Sequence, residues 1–200
     1  MDEVVNKITT FTKSSLLENN QQFIERINKW QVDENLATGE QNPVVKVIDF
    51  DHWRANSFIA INQYRIDTPG GVKECIIPDI VLLVNGMPLV VIECKDVNSF
   101  TTDPMHQAIE QLRRYADLRE QQDGEGAEKL FWYNQLMVST CRDQAKVGTI
   151  SSSSQHYGDW KDAYPFSDEA LANQSLQDNV VTFRSAVKRV VASTVRVRPS

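Results

Sequence analysis

The stretch CIIPDIVLLVNGMPLVVIECKD, residues 75–96, decides how the chain is read. Two apolar runs flank Asn85-Gly86, and together they read as a buried β-hairpin over about residues 76–95. Asp79 stands at the mouth of the hairpin, and Glu93 and Lys95 close its second strand. Glu93 and Lys95 lie two apart on a strand and project from one face. Cys94 points to the other face, into apolar packing. The turn decides whether Asp79 shares the face of Glu93. A three-residue loop, Asn85-Gly86-Met87, sets Val84 opposite Pro88 and Asp79 opposite Glu93. A two-residue Asn-Gly turn or a four-residue loop shifts the register by one and separates the two acids.

Two carboxylates at cross-strand distance repel and lose solvation, so such a pair serves a shifted pKa or a divalent cation. Two acidic oxygens and a backbone carbonyl suit Mg²⁺, a hard cation that keeps several waters. A lysine beside them offsets charge on a phosphate and positions an attacking water. That is the equipment of metal-assisted phosphodiester hydrolysis. The bland alternative is that strand ends carry charge because they emerge into water, and Lys95 fits that description too.

Beyond the hairpin, residues 101–104 read as a helix start: Thr102 or Asp103 caps, and Pro104 is tolerated in the first turn. The helix is expected to run to about residue 120. Gln107, Gln111 and Tyr115, four apart, form one stripe, and Ile109, Leu112 and Ala116 the neighbouring apolar face. The stripe reads as a half-buried boundary row, or as Gln111 and Tyr115 facing the carboxylates and holding Lys95. Arg113, Arg114 and Arg119 add positive charge, although arginines on a helix are usually a solvated face.

Apolar periodicity makes the first 30 residues mainly helical, with 31–42 as loop. VVKVIDF (44–50), SFIAINQYRID (57–67), KLFWYNQLMVST (129–140) and AKVGTI (145–150) read as strands, and Ser151–Ser154 as a short loop. This order is α/β, a central mixed β-sheet flanked by helices. The expected division is a domain over 1–165, with a helical lead at 1–30, and a helical or irregular tail over 166–200.

The 200 residues carry 41% hydrophobic and 24% charged side chains, an ordinary soluble composition. No apolar run approaches the roughly 20 residues that span a bilayer, and the N-terminus lacks the pattern of a secretory signal. Cys75, Cys94 and Cys141 are scattered, which argues for a reducing compartment and against a disulfide framework or a zinc site. A net charge of −6, from 21 basic and 27 acidic residues, does not fit an autonomous, tight nucleic-acid binder.

The hairpin, the Glu-x-Lys and the Gln-x-x-x-Tyr together resemble the PD-(D/E)xK nuclease superfamily. More narrowly, the chain resembles the N-terminal nuclease domain of the restriction (motor) subunit of type I restriction–modification enzymes. VIDFDHWRANSFIAINQYRID, PDIVLLVNGMPLVVIECKD, QAIEQLRRY, LFWYNQLMVST and KVGTI occur in that family's order, covering about residues 15–160. The resemblance implies a restriction-endonuclease-like core and an endodeoxyribonuclease acting on double-stranded DNA. Asp79 and Glu93 would bind Mg²⁺, with the Cys94 carbonyl as a third ligand where the family usually has leucine. Lys95 would be the catalytic lysine, supported by Gln111 and Tyr115. It further implies methyltransferase and specificity subunits as partners, no membrane, and a prokaryotic cytoplasm. The family's full subunit continues into an ATP-fuelled translocase. No G-x-x-x-x-G-K-[ST] occurs here, so ATP would act only through a region this chain lacks, and the chain reads as a piece of a longer subunit. Glu18 and Glu25 are candidates, by residue type alone, for an additional family glutamate. The alternatives are a stand-alone nuclease of the same superfamily acting in repair, and a non-catalytic scaffold that kept the fold.

Overall fold

The computed structural model describes residues 2–160, apart from 29, 33, 36, 97–101, 120–123, 142 and 143. The tail expected over 166–200 therefore lies outside the described residues. Two helices lead, α1 (Asp2–Thr9) and α2 (Leu16–Asn28). Four two-residue strands follow: β1 (Trp30–Gln31), β2 (Glu34–Asn35), β3 (Glu40–Gln41) and β4 (Val44–Val45). They form small antiparallel ladders, β1 with β4 and β2 with β3. Then come β5 (Phe58–Asn62), β6 (Ile66–Asp67), β7 (Cys75–Ile76), β8 (Ile80–Val84) and β9 (Met87–Lys95). The chain continues through α3 (Pro104–Tyr115), α4 (Glu128–Phe131), β10 (Leu136–Cys141), β11 (Gln144–Gly148) and β12 (Gly158–Asp159).

The central sheet has six strands in the order β12-β11-β10-β9-β8-β5. Every pair is antiparallel except β9 and β10. A parallel pair needs a crossover, and α3 supplies it. The sheet separates two cores. On one face Val81, Leu83, Val91 and Met137 pack against Met105, Ile109, Leu112 and Tyr115 of α3. On the other, Leu82, Val84, Leu89, Val90 and Val138 pack against Phe23 and Ile27 of α2 and against Phe11. The fold is thus the expected α/β arrangement, a mixed sheet flanked by helices.

The hairpin reaches the aligned register by a route other than the three-residue loop. Val84 pairs with Met87, leaving a two-residue turn of Asn85 and Gly86. Their φ values, +51° and +83°, are those of the mirror-image turn that suits the twist of a hairpin. Such a turn alone would separate the acids. A bulge between Leu82 and Leu83 on one strand and Pro88 and Val90 on the other corrects the register, with Leu89 as the extra residue. Leu89 and Val90 accordingly sit in the same core although they are adjacent. Beyond the bulge Ile80 pairs with Ile92, which sets Asp79 opposite Glu93.

Four other expectations are corrected. Only Val44–Val45 of the 44–50 strand pairs, because Asp49 Oδ1 accepts the N–H groups of Asp51 and His52 and turns the chain. The 57–67 strand breaks at Gln63, whose φ is +53°. Residues 128–131 form a helical turn before β10, and Asn20 Nδ2 donates to the carbonyls of Phe131, Trp132 and Asn134 there. The helix expected to reach residue 120 stops at Tyr115, and Asp117 takes a φ of +54°.

Asn85 holds the hairpin tip: its side chain donates to the Val47 carbonyl and to Asn56 Oδ1 and accepts from the Ser57 N–H. Asn85→Ala is expected to lose about 2 kcal/mol, from the left-handed backbone and the lost bonds together. Urea unfolding checks this through a lower midpoint with an unchanged slope.

Candidate active site

Register lines four polar residues across the α3 face of the sheet. Asn62 pairs with Ile80, so Gln63 comes opposite Asp79, and the Gln63 N–H donates to the Asp79 carbonyl at 2.8 Å. Asp79 lies opposite Glu93, and Glu93 lies beside Ser139 of the parallel strand. Lys95 occupies the next position on that face. The helix above starts at Asp103, whose side chain accepts the His106 N–H, with Pro104 in the first turn. Its buried Met105, Ile109 and Leu112 fix its rotation and aim Gln111 and Tyr115 at the acids.

The contacts form one connected set. Lys95 Nζ donates to Glu93 Oε1 and to Gln111 Oε1, each at 2.8 Å. Gln111 Nε2 donates to the Tyr115 hydroxyl at 2.5 Å, and that hydroxyl donates to the Ile77 carbonyl at 3.3 Å. An ammonium only donates, so Gln111 must turn its oxygen to Lys95 and its amide hydrogens to Tyr115. The Asp79 carboxylate accepts from Gln63 Nε2 at 2.9 Å on one oxygen and from the Cys94 N–H at 2.8 Å on the other.

Glu93 is 1% exposed, and its Oε2 is buried without a hydrogen-bond partner. Burial pushes its pKa above the ordinary carboxylate value, and the charge of Asp79 adds to the rise. The Lys95 ammonium and the Asp79 backbone pull it back. Burial, followed by the charge of Glu93, also raises the Tyr115 hydroxyl, which keeps it a donor. The Lys95 side chain is 27% exposed, so this lysine is a half-buried partner of a buried acid, not a free strand end.

The structure brings together Asp79, Glu93, Lys95, Gln111 and Tyr115. Gln107 of the same stripe is exposed and makes no part of the set. Cys94 lies on the opposite face as expected, but it is exposed, not packed in apolar surroundings. Its backbone reaches the acids, and a strand residue's N–H and C=O face the same neighbouring strand. Glu18 is spent on Ser14 and Ser15 at the start of α2, and Glu25 is exposed. Among the described residues no third acid, histidine or cysteine joins Asp79 and Glu93. Of the three arginines, Arg113 donates to the Ser152 and Leu118 carbonyls, and Arg119 lies 3.6 Å from Glu125. Arg114 stays near the set, 5.3 Å over the Tyr115 ring. Sequence reasoning missed Gln63. A strand over 57–67 puts it on a definite face, but only the pairing with β8 shows that this is the face of Asp79.

A mixed sheet with an acid pair and a lysine on its helix-covered face defines a restriction-endonuclease-like α/β domain. The family model described as type I restriction enzyme R protein N terminus matches residues 2–156, and the chain belongs to that family. Among curated proteins, the type I restriction enzyme HindI endonuclease subunit of Haemophilus influenzae is 36% identical over 162 residues. The match covers 80% of this chain and 14% of that relative's length.

Glu93→Gln keeps the shape and the acceptor for Lys95 while removing the buried charge whose pKa burial raises, and is expected to raise the unfolding temperature near neutral pH. The sign follows from the raised pKa. The folded protein keeps this proton where the unfolded chain has released it, so the charge costs nothing below the ordinary carboxylate range. The cost grows as pH rises from there through the folded value. Thermal unfolding of both proteins from about pH 4 to about pH 8 should show the gap opening upward. Parallel curves would mean that burial does not strain Glu93.

Proposed function

We propose that this domain is the DNA-cleaving part of a type I restriction enzyme R subunit and hydrolyses phosphodiesters with Mg²⁺. The observation that carries the reading is the unbroken set of hydrogen bonds from Glu93 through Lys95 and Gln111 to Tyr115. An unpartnered, buried Glu93 oxygen on the same face as Asp79 is a fitting cation ligand, and the donor set is oxygen only. Asp79 and Glu93 would hold the ion, with the Cys94 carbonyl as a third ligand. The ion, when bound, supplies positive charge that a phosphate oxygen needs during in-line displacement.

The protein's own groups supply the rest. Lys95, held by two acceptors, points one remaining N–H toward an attacking water or a phosphate oxygen. Gln111 and Tyr115 keep the ammonium from swinging into solvent, and placement of this kind is worth more than the charge alone. Contacts to phosphate carry no base identity, so this centre would not read the target sequence. DNA would be delivered by the motor region of the whole subunit and by methyltransferase and specificity subunits, in a cytoplasmic complex. No described helix is long and apolar enough to cross a membrane.

The test is Mg²⁺-dependent cleavage by the complete enzyme. Lys95→Ala is expected to slow cutting by about 100-fold or more. Its stability should fall by about 1–3 kcal/mol, because Glu93 loses its buried partner. Normal cutting by the folded variant would refute the role given to the lysine.

The isolated chain is expected to bind duplex DNA weakly. Several of its cations already face carboxylates: Lys46 lies 2.9 Å from Asp51, Arg65 2.9 Å from Asp67 and Lys146 3.3 Å from Asp159. Affinity for DNA comes largely from neutralised phosphates and falls with salt. A binding titration at physiological salt should give no submicromolar affinity, and tight binding or efficient cutting without partners would favour a stand-alone nuclease.

A further inference from the structure

We propose that Gln63 is a positioning residue that presets Asp79 for a divalent cation, an inference that rests on the cation-binding reading of Asp79 and Glu93. Asp79 is only half-buried, at the open end of the hairpin. The Cys94 N–H holds one oxygen at 2.8 Å. One bond leaves a carboxylate free to swivel about that oxygen. The second bond, from Gln63 Nε2 to the other oxygen at 2.9 Å, fixes the plane of the group.

A carboxylate offers about four lone-pair sites. The two bonds occupy one on each oxygen and leave the others for a ligand. Gln63 is suited to this task by its backbone. Its φ of +53° lies in the left-handed region that L side chains adopt rarely, and it comes where β5 ends. The turn keeps the Gln63 N–H on the Asp79 carbonyl at 2.8 Å and sends the next N–H, of Tyr64, to the Pro78 carbonyl at 3.1 Å. Main chain and side chain of one residue thus grip main chain and side chain of another. Unusual backbone of this kind persists where surrounding structure holds it, and it gathers at functional sites. Glutamine also matters by chemistry. It donates without charge, so it orients the acid without competing with a cation for it, as lysine or arginine would.

The experiment is calorimetric titration of Mn²⁺ into the purified 200-residue chain, with thermal unfolding followed in the presence and absence of the ion. Gln63→Met keeps length and removes the donor. Its affinity should fall about tenfold, the usual cost of losing an outer-shell partner of a metal ligand, while unfolding without Mn²⁺ stays near wild type. Gln63→Glu sets a third carboxylate against Asp79. Without the ion it should unfold at a lower temperature, and Mn²⁺ should raise that temperature by more than it does in the wild type. Wild-type affinity in Gln63→Met, or an affinity loss that appears only with loss of the folded state, would overturn the proposal. So would a Gln63→Glu protein that unfolds like wild type with and without the ion. A wild-type chain that binds no Mn²⁺ would overturn the cation reading itself, which separates that failure from failure of the role given to Gln63.

Discussion

The buried Glu93 carboxyl is the constraint around which the domain is arranged. A carboxyl that is 1% exposed must be neutralised or paired, since an isolated buried charge costs far more than a domain's margin of stability can bear. Lys95 is the partner, two residues on along the same strand and therefore on the same face. The lysine in turn needs an acceptor to keep it there, and the crossover helix delivers Gln111. That helix exists because β9 and β10 run parallel and need a long connection. The topology of the sheet and the orientation of one ammonium are thus parts of a single solution.

Much of this was legible from residue order. The hairpin, the helix opening at Asp103-Pro104, the shared face of Glu93 and Lys95, and the Gln111–Tyr115 stripe follow from period-two and period-four spacing, whereas the grouping of all five residues comes from the family resemblance. What spacing does not carry is compensation between local features. Loop length alone leaves the alignment of the acids open; the two-residue Asn85-Gly86 turn by itself would misalign them, and the bulge at Leu89 restores the register. Pro88, which cannot donate to a ladder, hints at an irregularity inside a central strand, but Leu89 and Val90 are apolar and suit either register, so the position of the extra residue does not show. Phe131, Trp132 and Tyr133 have strong strand propensity, yet a distant asparagine on α2 draws the Phe131 and Trp132 carbonyls out of the ladder. Such tertiary override is the common limit of propensity reasoning.

Exposure was the other limit. Lys95 sits at a strand end, which suggests open water, but a helix covers that end and leaves the lysine half-buried. Cys94 sits in an apolar run, which suggests burial, but its side of the sheet lies beyond the second core and is open. Both errors come from treating a strand as isolated. Whether a face is covered is decided by neighbouring elements, here by α3 above Lys95.

The bulge also bears on how the hairpin can change length. An odd number of residues separates Asp79 from Glu93, one too many for a two-residue turn to align them. Leu89 takes up that excess. Loss of one residue there would leave a plain ladder with the acids still face to face, and gain of one residue in the turn together with that loss would do the same. A single insertion between Leu89 and Glu93 would instead swing the glutamate through to the α2 side unless a second bulge absorbed it. The hairpin therefore has one place where drift in length is harmless, set away from the acids and next to the turn.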